Sequence, residues 1–161
     1  MKIIRDSREQ NGFAFSGKQY DAEVIIEGLP SGDYSLPSFQ DRISLERKEL
    51  NDLISCLMGS NRARFERELQ RLSHYDVAAV VIEASFQDVA DGLYRSDMLP
   101  HSALQSIMSF QVRYRVPFVW CGSRQAAEYF TYWTLQKFAY DIQERAKALT
   151  KAQATTKEAA A

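Results

Sequence analysis

The sequence predicts an α/β fold, and three observations carry that expectation. Residues Val77 to Ile82 form a continuous apolar run without polar alternation, the pattern of a strand buried on both faces of a helix-flanked sheet. At Glu49 the hydrophobic period changes from two to about 3.6. Ile43 and Leu45 alternate with polar neighbours, whereas Leu50, Leu53, Ile54, Leu57 and Met58 fall on one helical stripe. Beyond the apolar run, the helical pattern of Pro100 to Arg115 is followed by a further short strand, Pro117 to Cys121, closed by Gly122.

The elements follow in order. Residues 2 to 5 read as a first strand entering the charged cluster Asp6-Ser7-Arg8-Glu9, and Gln10 to Gln19 as a polar loop. Glu23 to Glu27 is β-branched and ends where Gly28, Pro30 and Gly32 force a turn. Tyr34 to Leu36 and Arg42 to Lys48 are the next strands. A helix then begins at Glu49, is interrupted at Gly59-Ser60-Asn61, and is followed by a second from Arg62 to His74 with Phe65, Leu69 and Leu72 on one face. After the buried strand, Pro100 to Arg115 is helical in pattern and Pro117 to Cys121 is a short strand. Ser123 caps one long helix running to Leu149. Thr150 to Ala161 contains no aromatic or large aliphatic residue, and a disordered or frayed tail is expected there.

With 161 residues the chain is of single-domain size, and the expected domain covers residues 1–149. Hydrophobic residues at 45% and charged residues at 25% exclude disordered, collagen-like and fibrous classes. No apolar run approaches the roughly 18 residues of a membrane span, so no membrane association is expected. Charge at Lys2, Arg5 and Asp6 precedes any apolar stretch that would serve as a signal-peptide core, which points to a cytoplasmic protein. Cys56 and Cys121 lack the spacing of a disulfide framework or a structural zinc site. A net charge of −1 argues against coating nucleic acid by bulk electrostatics, but not against an enzyme whose carboxylates cancel its basic residues.

The chemistry concentrates in Gly32-Asp33 and Glu46-Arg47-Lys48-Glu49-Leu50-Asn51-Asp52. Strand alternation sends Glu46 and Lys48 to one face and Leu45 and Arg47 to the other. Asp33, delivered by the turn, adds a second carboxylate from a neighbouring strand. Two hard oxygen ligands for Mg²⁺ beside a lysine suit metal-assisted phosphodiester hydrolysis. Lys48 would orient the nucleophile or compensate phosphate charge, and Asp52 lies in the first turn of the next helix. Acid-x-Lys at a strand end also arises by chance, and Asp after Gly is an ordinary turn residue. The joint pattern is what carries weight.

That pattern resembles the XPF-type nuclease domain of structure-specific endonucleases, whose hallmark is GD, a variable gap, then ERK-x-x-x-D. Asp6-Ser7-Arg8-Glu9 is similar to the family's D-x-R-E segment, Arg64-Phe65 to its Arg-aromatic position, and Val80 to Glu83 to its buried strand ending in Glu. The resemblance spans about residues 3 to 120. It implies a restriction-endonuclease-like fold, a central mixed sheet flanked by helices, and divalent-metal-dependent cleavage of branched or flap DNA. It further implies that Asp33 and Glu46 are metal ligands for Mg²⁺ or Mn²⁺ and that Lys48 is catalytic. Arg47 and Asp52 would complete the site, with Asp6, Arg8 and Glu9 at its border.

Arg8, Arg62 and Arg64 are candidate phosphate contacts, since guanidinium forks match phosphate geometry. Arg62 and Arg67 equally fit a solvated helix face pairing with Glu66 and Glu68. His74 and His101 read as surface residues, and Tyr129 and Trp133 as candidates for a subunit interface, a homodimer being expected. Many relatives continue into a tandem helix-hairpin-helix module, whereas here the long helix and tail follow. A stand-alone domain of this kind resembles bacterial or phage proteins. A resolvase, a restriction-type enzyme and a non-catalytic DNA-binding subunit are the alternatives, and intact Asp33, Glu46 and Lys48 speak against the last.

Overall fold

The computed structural model describes residues 1–159, with side chains through residue 153. A six-stranded mixed sheet in the order β2-β1-β3-β4-β5-β6 forms its centre. The strands are β1 (Lys2–Asp6), β2 (Glu23–Glu27), β3 (Tyr34–Ser35), β4 (Ile43–Lys48), β5 (Val77–Ile82) and β6 (Phe118–Trp120). β1 runs parallel to β2 and antiparallel to β3, β3 is antiparallel to β4, and β4, β5 and β6 run parallel. This is the helix-flanked mixed sheet the sequence leads one to expect.

β5 shows why its run is unbroken. Val80 and Ile82 join a core with Leu53 and Ile54 of α1 (Leu50–Ser55), Phe65, Leu69 and Leu72 of α2 (Gly59–Leu72), and Ile107 and Phe110 of α4 (Pro100–Tyr114). Ala79 and Val81 face the opposite core, with Ile43 and Leu45 of β4, Phe13, Phe15, and Tyr132, Leu135 and Phe138 of α5 (Arg124–Ala159). Every β5 side chain from Ala79 onward is buried, so polar alternation would cost desolvation on either face.

Three elements differ from the sequence expectation. Gly59-Ser60-Asn61 is the first turn of α2 rather than an interruption, and Met58 occupies the extended N-cap position. A short helix, α3 (Phe86–Ala90), forms where none was anticipated. Its capping box is visible in hindsight: Ser85 Oγ accepts from Asp88 N at 3.1 Å, and Ser85 N donates to Asp88 Oδ2 at 2.7 Å. The terminal helix does not end at Leu149 but continues to Ala159. Once a packed segment has nucleated a helix, Ala- and Lys-rich sequence propagates it at little cost. The remainder of the expected tail, Ala160 and Ala161, lies outside the described residues. Among the described residues no helix is long and apolar enough to cross a membrane.

Candidate active site

The C-terminal end of β4 and the turn before β3 open into a cleft of about 610 Å³. Gly32 makes the turn possible. Its φ of +76° is left-handed, and a Cβ there would lie 2.1 Å from Ser44 Oγ, so both conformation and space require glycine. Asp33 follows, its backbone tied on both sides: Asp6 N donates to Asp33 O at 2.8 Å, and Asp33 N donates to Leu45 O at 2.9 Å. Its carboxylate Oδ2 accepts the backbone N–H of Arg47 at 2.7 Å. The two halves of the motif, 14 residues apart in sequence, are thereby joined.

Glu46 is buried on the α1/α2 face of β4 and forms an ion pair with Lys48 on the same face. The Lys48 ammonium also lies 5.4 Å from the Phe65 ring centroid. Burial works against the Lys48 charge, but Glu46 and Asp33 outweigh it and hold the ammonium protonated, above the usual lysine range. Burial and the neighbouring Asp33 charge push Glu46 well above the ordinary carboxylate value. Burial likewise raises Asp33 to about 7, with Glu9 and Glu68 adding to the rise and Lys48 and the Arg47 N–H opposing it. Two desolvated carboxylates that share the influence of one ammonium favour a further cation.

Among the described residues no cluster of three or more His, Cys, Asp or Glu side chains is arranged as a metal cage. The donor set nevertheless fits Mg²⁺, which uses one or two carboxylates and keeps several waters, and the open cleft has room for them.

The other anticipated site residues have different surroundings. Asp52 is exposed on α1 at the cleft rim. Arg47 points its side chain to the opposite face. There it donates to Glu83 Oε1 at 2.6 Å, pairs with Glu9 at 3.4 Å, and sits 5.8 Å from the Phe13 ring centroid. Only its backbone joins Asp33. Asp6 is buried and saturated, with Oδ1 accepting from Arg8 N and Nε, and Oδ2 from Arg8 Nη2 and Leu29 N. Burial raises its proton affinity, yet these hydrogen bonds prevail and hold the carboxyl below its usual range. Asp6 is therefore an anchor for the Arg8 loop, at the border of the cleft that Asp33 and Glu46 line. Glu9 is similarly engaged by Arg47 and by Asn11 N at 2.7 Å.

The three arginines separate. Arg64 is exposed, lines the cleft, and forms no ion pair with any described residue. Arg8 is exposed but held by Asp6 and by Leu29 O at 2.9 Å. Arg62 does not line the cleft. It packs between α2 and α4, 4.5 Å from the Phe110 ring centroid, bonded to Leu57 O and Ser106 Oγ and paired with Glu66 at 3.2 Å. The helix-face pairing, the alternative reading for Arg62, is the arrangement found in the structure, and Arg62 lies outside the cleft that holds Asp33 and Glu46. Two charged residues of α2 that line the cleft, Glu68 and Arg71, are not site candidates in the sequence reading. The signal was present: Asn61, Arg64, Glu68 and Arg71 recur at helical spacing beside the apolar stripe of α2.

Comparison with known proteins bears on this arrangement. A family model described as the ERCC4 domain matches residues 5–132. The structure is similar to XPF from Aeropyrum pernix, with a TM-score of 0.66 and 20% identity over 94% of this chain and 73% of that one. It is also similar to XPF from Aeropyrum pernix in complex with DNA, with a TM-score of 0.63 and 21% identity over 87% of this chain and 65% of that one. Comparison with curated protein sequences gave no match. The structural likenesses agree with the restriction-endonuclease-like sheet, and with the family model covering most of the sequence, the chain belongs to the ERCC4 domain family.

Proposed function

We propose that this chain is a divalent-metal-dependent DNA endonuclease that hydrolyses phosphodiester bonds in branched or flap DNA. The observation that carries the reading is the convergence of Asp33, Glu46 and Lys48 on one cleft. Membership of the ERCC4 family supports it, as does the likeness to a solved relative in complex with DNA.

Asp33 and Glu46 would hold Mg²⁺ or Mn²⁺. When bound there, such a cation would supply Lewis acidity for phosphodiester hydrolysis. Lys48, kept protonated by its acidic neighbours, offsets the charge developing on the phosphate, and its pairing with Glu46 fixes its direction. Asp52 at the rim is within the same cleft and would bear on entering water or cation. Arg64 and Arg8 would meet DNA phosphates. Asp6, Glu9 and Arg47 support these groups from beneath, through the Arg8 loop and the β4 backbone. The nuclease unit would occupy residues 1–149 and act as a homodimer. Its interface would centre on α5, where Tyr129 is exposed and Trp133 lies 6.0 Å from it between ring centroids.

Cleavage of labelled flap, fork, junction and linear duplex DNA, each with Mg²⁺ and with chelator, tests the proposal. Metal-dependent cutting of the branched substrates is expected. DNA binding with no cutting under Mg²⁺ or Mn²⁺ would mark a non-catalytic subunit, and cutting confined to linear duplex would remove the branched-substrate reading.

A further inference from the structure

Two charged side chains of α2 are joined to the turn that delivers Asp33. Glu68 Oε1 accepts the backbone N–H of Gly32 at 3.2 Å, and Arg71 Nε donates to Ser31 Oγ at 2.6 Å. Glu68 and Arg71 are three residues apart, so they lie on one helix face, and Ser31 and Gly32 are consecutive. On its other side the turn is held by β4: Ser44 Oγ donates to Ser31 O at 2.7 Å, and Asp33 N reaches Leu45 O. The β4 half belongs to the sheet itself. The α2 half is made by side chains that contribute nothing to either hydrophobic core.

We infer that Glu68 and Arg71 are positioning residues, a clamp by which α2 fixes the Ser31-Gly32 backbone and so sets where the Asp33 carboxylate stands relative to Glu46. The inference rests on the endonuclease reading and adds to it two residues that touch neither substrate nor cation. Arg64 lies one turn earlier on the same helix and faces the same cleft. A phosphate drawn to Arg64 therefore approaches the helix that holds Asp33 in place.

The hydrogen bond, not the Glu68 charge, is what the clamp requires, and this makes it separable from a further metal ligand. A reacting group displaced by about 1 Å loses up to about a hundredfold in rate, whereas ground-state DNA binding is little affected. Glu68→Ala and Arg71→Ala are accordingly expected to lower kcat about tenfold to a hundredfold while KM for DNA stays within about twofold. Glu68→Gln, whose amide oxygen still accepts the Gly32 N–H, should stay within about threefold of wild type in kcat. The same order should appear in Mn²⁺ affinity measured calorimetrically on the whole chain without DNA: weakened by Glu68→Ala and Arg71→Ala, preserved in Glu68→Gln.

Glu68→Gln as impaired as Glu68→Ala in both measurements would overturn the clamp, because the charge would then be what acts. A rise in KM with kcat unchanged would also overturn it, making these residues DNA contacts. If the wild type cuts no DNA, the endonuclease reading fails, and the Mn²⁺ affinities alone still decide the clamp. Glu68→Gln keeps size and shape, so the comparison holds even where Glu68→Ala proves unstable.

Discussion

The carboxylate of Asp33 accepts the backbone N–H of Arg47 at 2.7 Å, which, with the Asp33 N–H on Leu45 O, seats the Gly-Asp turn against Glu46 on β4. Substituting either acid removes a charged group from the cleft and no part of the two hydrophobic cores. Asp33→Ala and Glu46→Ala should therefore retain the wild-type circular dichroism spectrum and lose at least about a hundredfold in cleavage rate. Wild-type rates in either purified variant would move the site elsewhere.

Arg47 should behave in the opposite way. Its buried guanidinium ties Glu9 on the N-terminal loop to Glu83 at the end of β5, and Arg124 shares Glu83 at 2.9 Å. Breaking a buried ion pair by deleting one partner costs about 3–5 kcal/mol, because the remaining charge stays desolvated. Arg47→Ala should shift the urea midpoint strongly downward, and Lys48→Ala, which removes the buried partner of Glu46, should lower stability and abolish activity together. Equal urea midpoints for Arg47→Ala and wild type would return Arg47 to the list of reacting groups.

The difference between these neighbours marks how far the sequence could be read. The shared face of Glu46 and Lys48 follows from strand alternation alone, and the buried strand from an unbroken apolar run, so both were legible. Partners across the fold were not. Arg47 finds Glu9 and Glu83 at separations of 38 and 36 residues, and no local period encodes such pairs. Arg62 and Arg64 illustrate a second limit. Two residues apart on a helix point about 200° apart, so both cannot line one cleft. Which arginine faced the apolar seam with α4 depended on where α4 packs. Glu68 and Arg71 were within reach of the same helical arithmetic, but their significance lies in contacts with Ser31 and Gly32, remote in sequence.

For DNA binding, the two arginines of α2 should separate cleanly. Arg64→Ala is expected to weaken binding and to reduce the slope of log K against log salt by roughly one. Arg62→Ala should leave that slope unchanged and lower the melting temperature, since it removes packing against Phe110 and hydrogen bonds to Leu57 and Ser106. Fluorescence anisotropy titrations at several salt concentrations decide the matter. A reduced slope in Arg62→Ala with none in Arg64→Ala would reverse the assignment of the helix face.

Arg8 carries a double expectation. Its guanidinium forks onto the buried Asp6 carboxylate, so Arg8→Ala leaves that charge with only two backbone N–H partners. Loss of stability on the order of 1–3 kcal/mol should accompany any loss of DNA affinity. Arg8→Ala combined with Asp6→Asn should recover part of the stability without recovering the affinity. A double variant that binds DNA like wild type would make Arg8 a structural residue only.

The acidic pair also sets how stability depends on pH. Asp33 titrates near 7 in the folded protein, raised chiefly by burial, and near 4 when unfolded. Between about pH 4 and 7 the folded state holds a proton that the unfolded state has lost, so the stability from this group is complete at the acid end and disappears as pH rises through 7. Glu46, raised by burial and by Asp33, acts in the same direction. Asp6, held below its ordinary value, acts oppositely, but only as pH falls below about 4. The metal-free protein should therefore melt lower at pH 8 than at pH 5.5. Asp33→Asn, which keeps shape and loses charge, should flatten that dependence and melt at or above wild type at pH 8 in chelator. Millimolar Mg²⁺ should raise the wild-type melting temperature by mass action, more at pH 8 than at pH 6 because protons compete for the same oxygens, and should raise that of Asp33→Asn less. Thermal scans of both proteins at the two pH values, with chelator and with metal, test all of this together. An Asp33→Asn protein that is destabilised in chelator and keeps the full metal-induced shift would make Asp33 a turn residue and send the cation to other ligands.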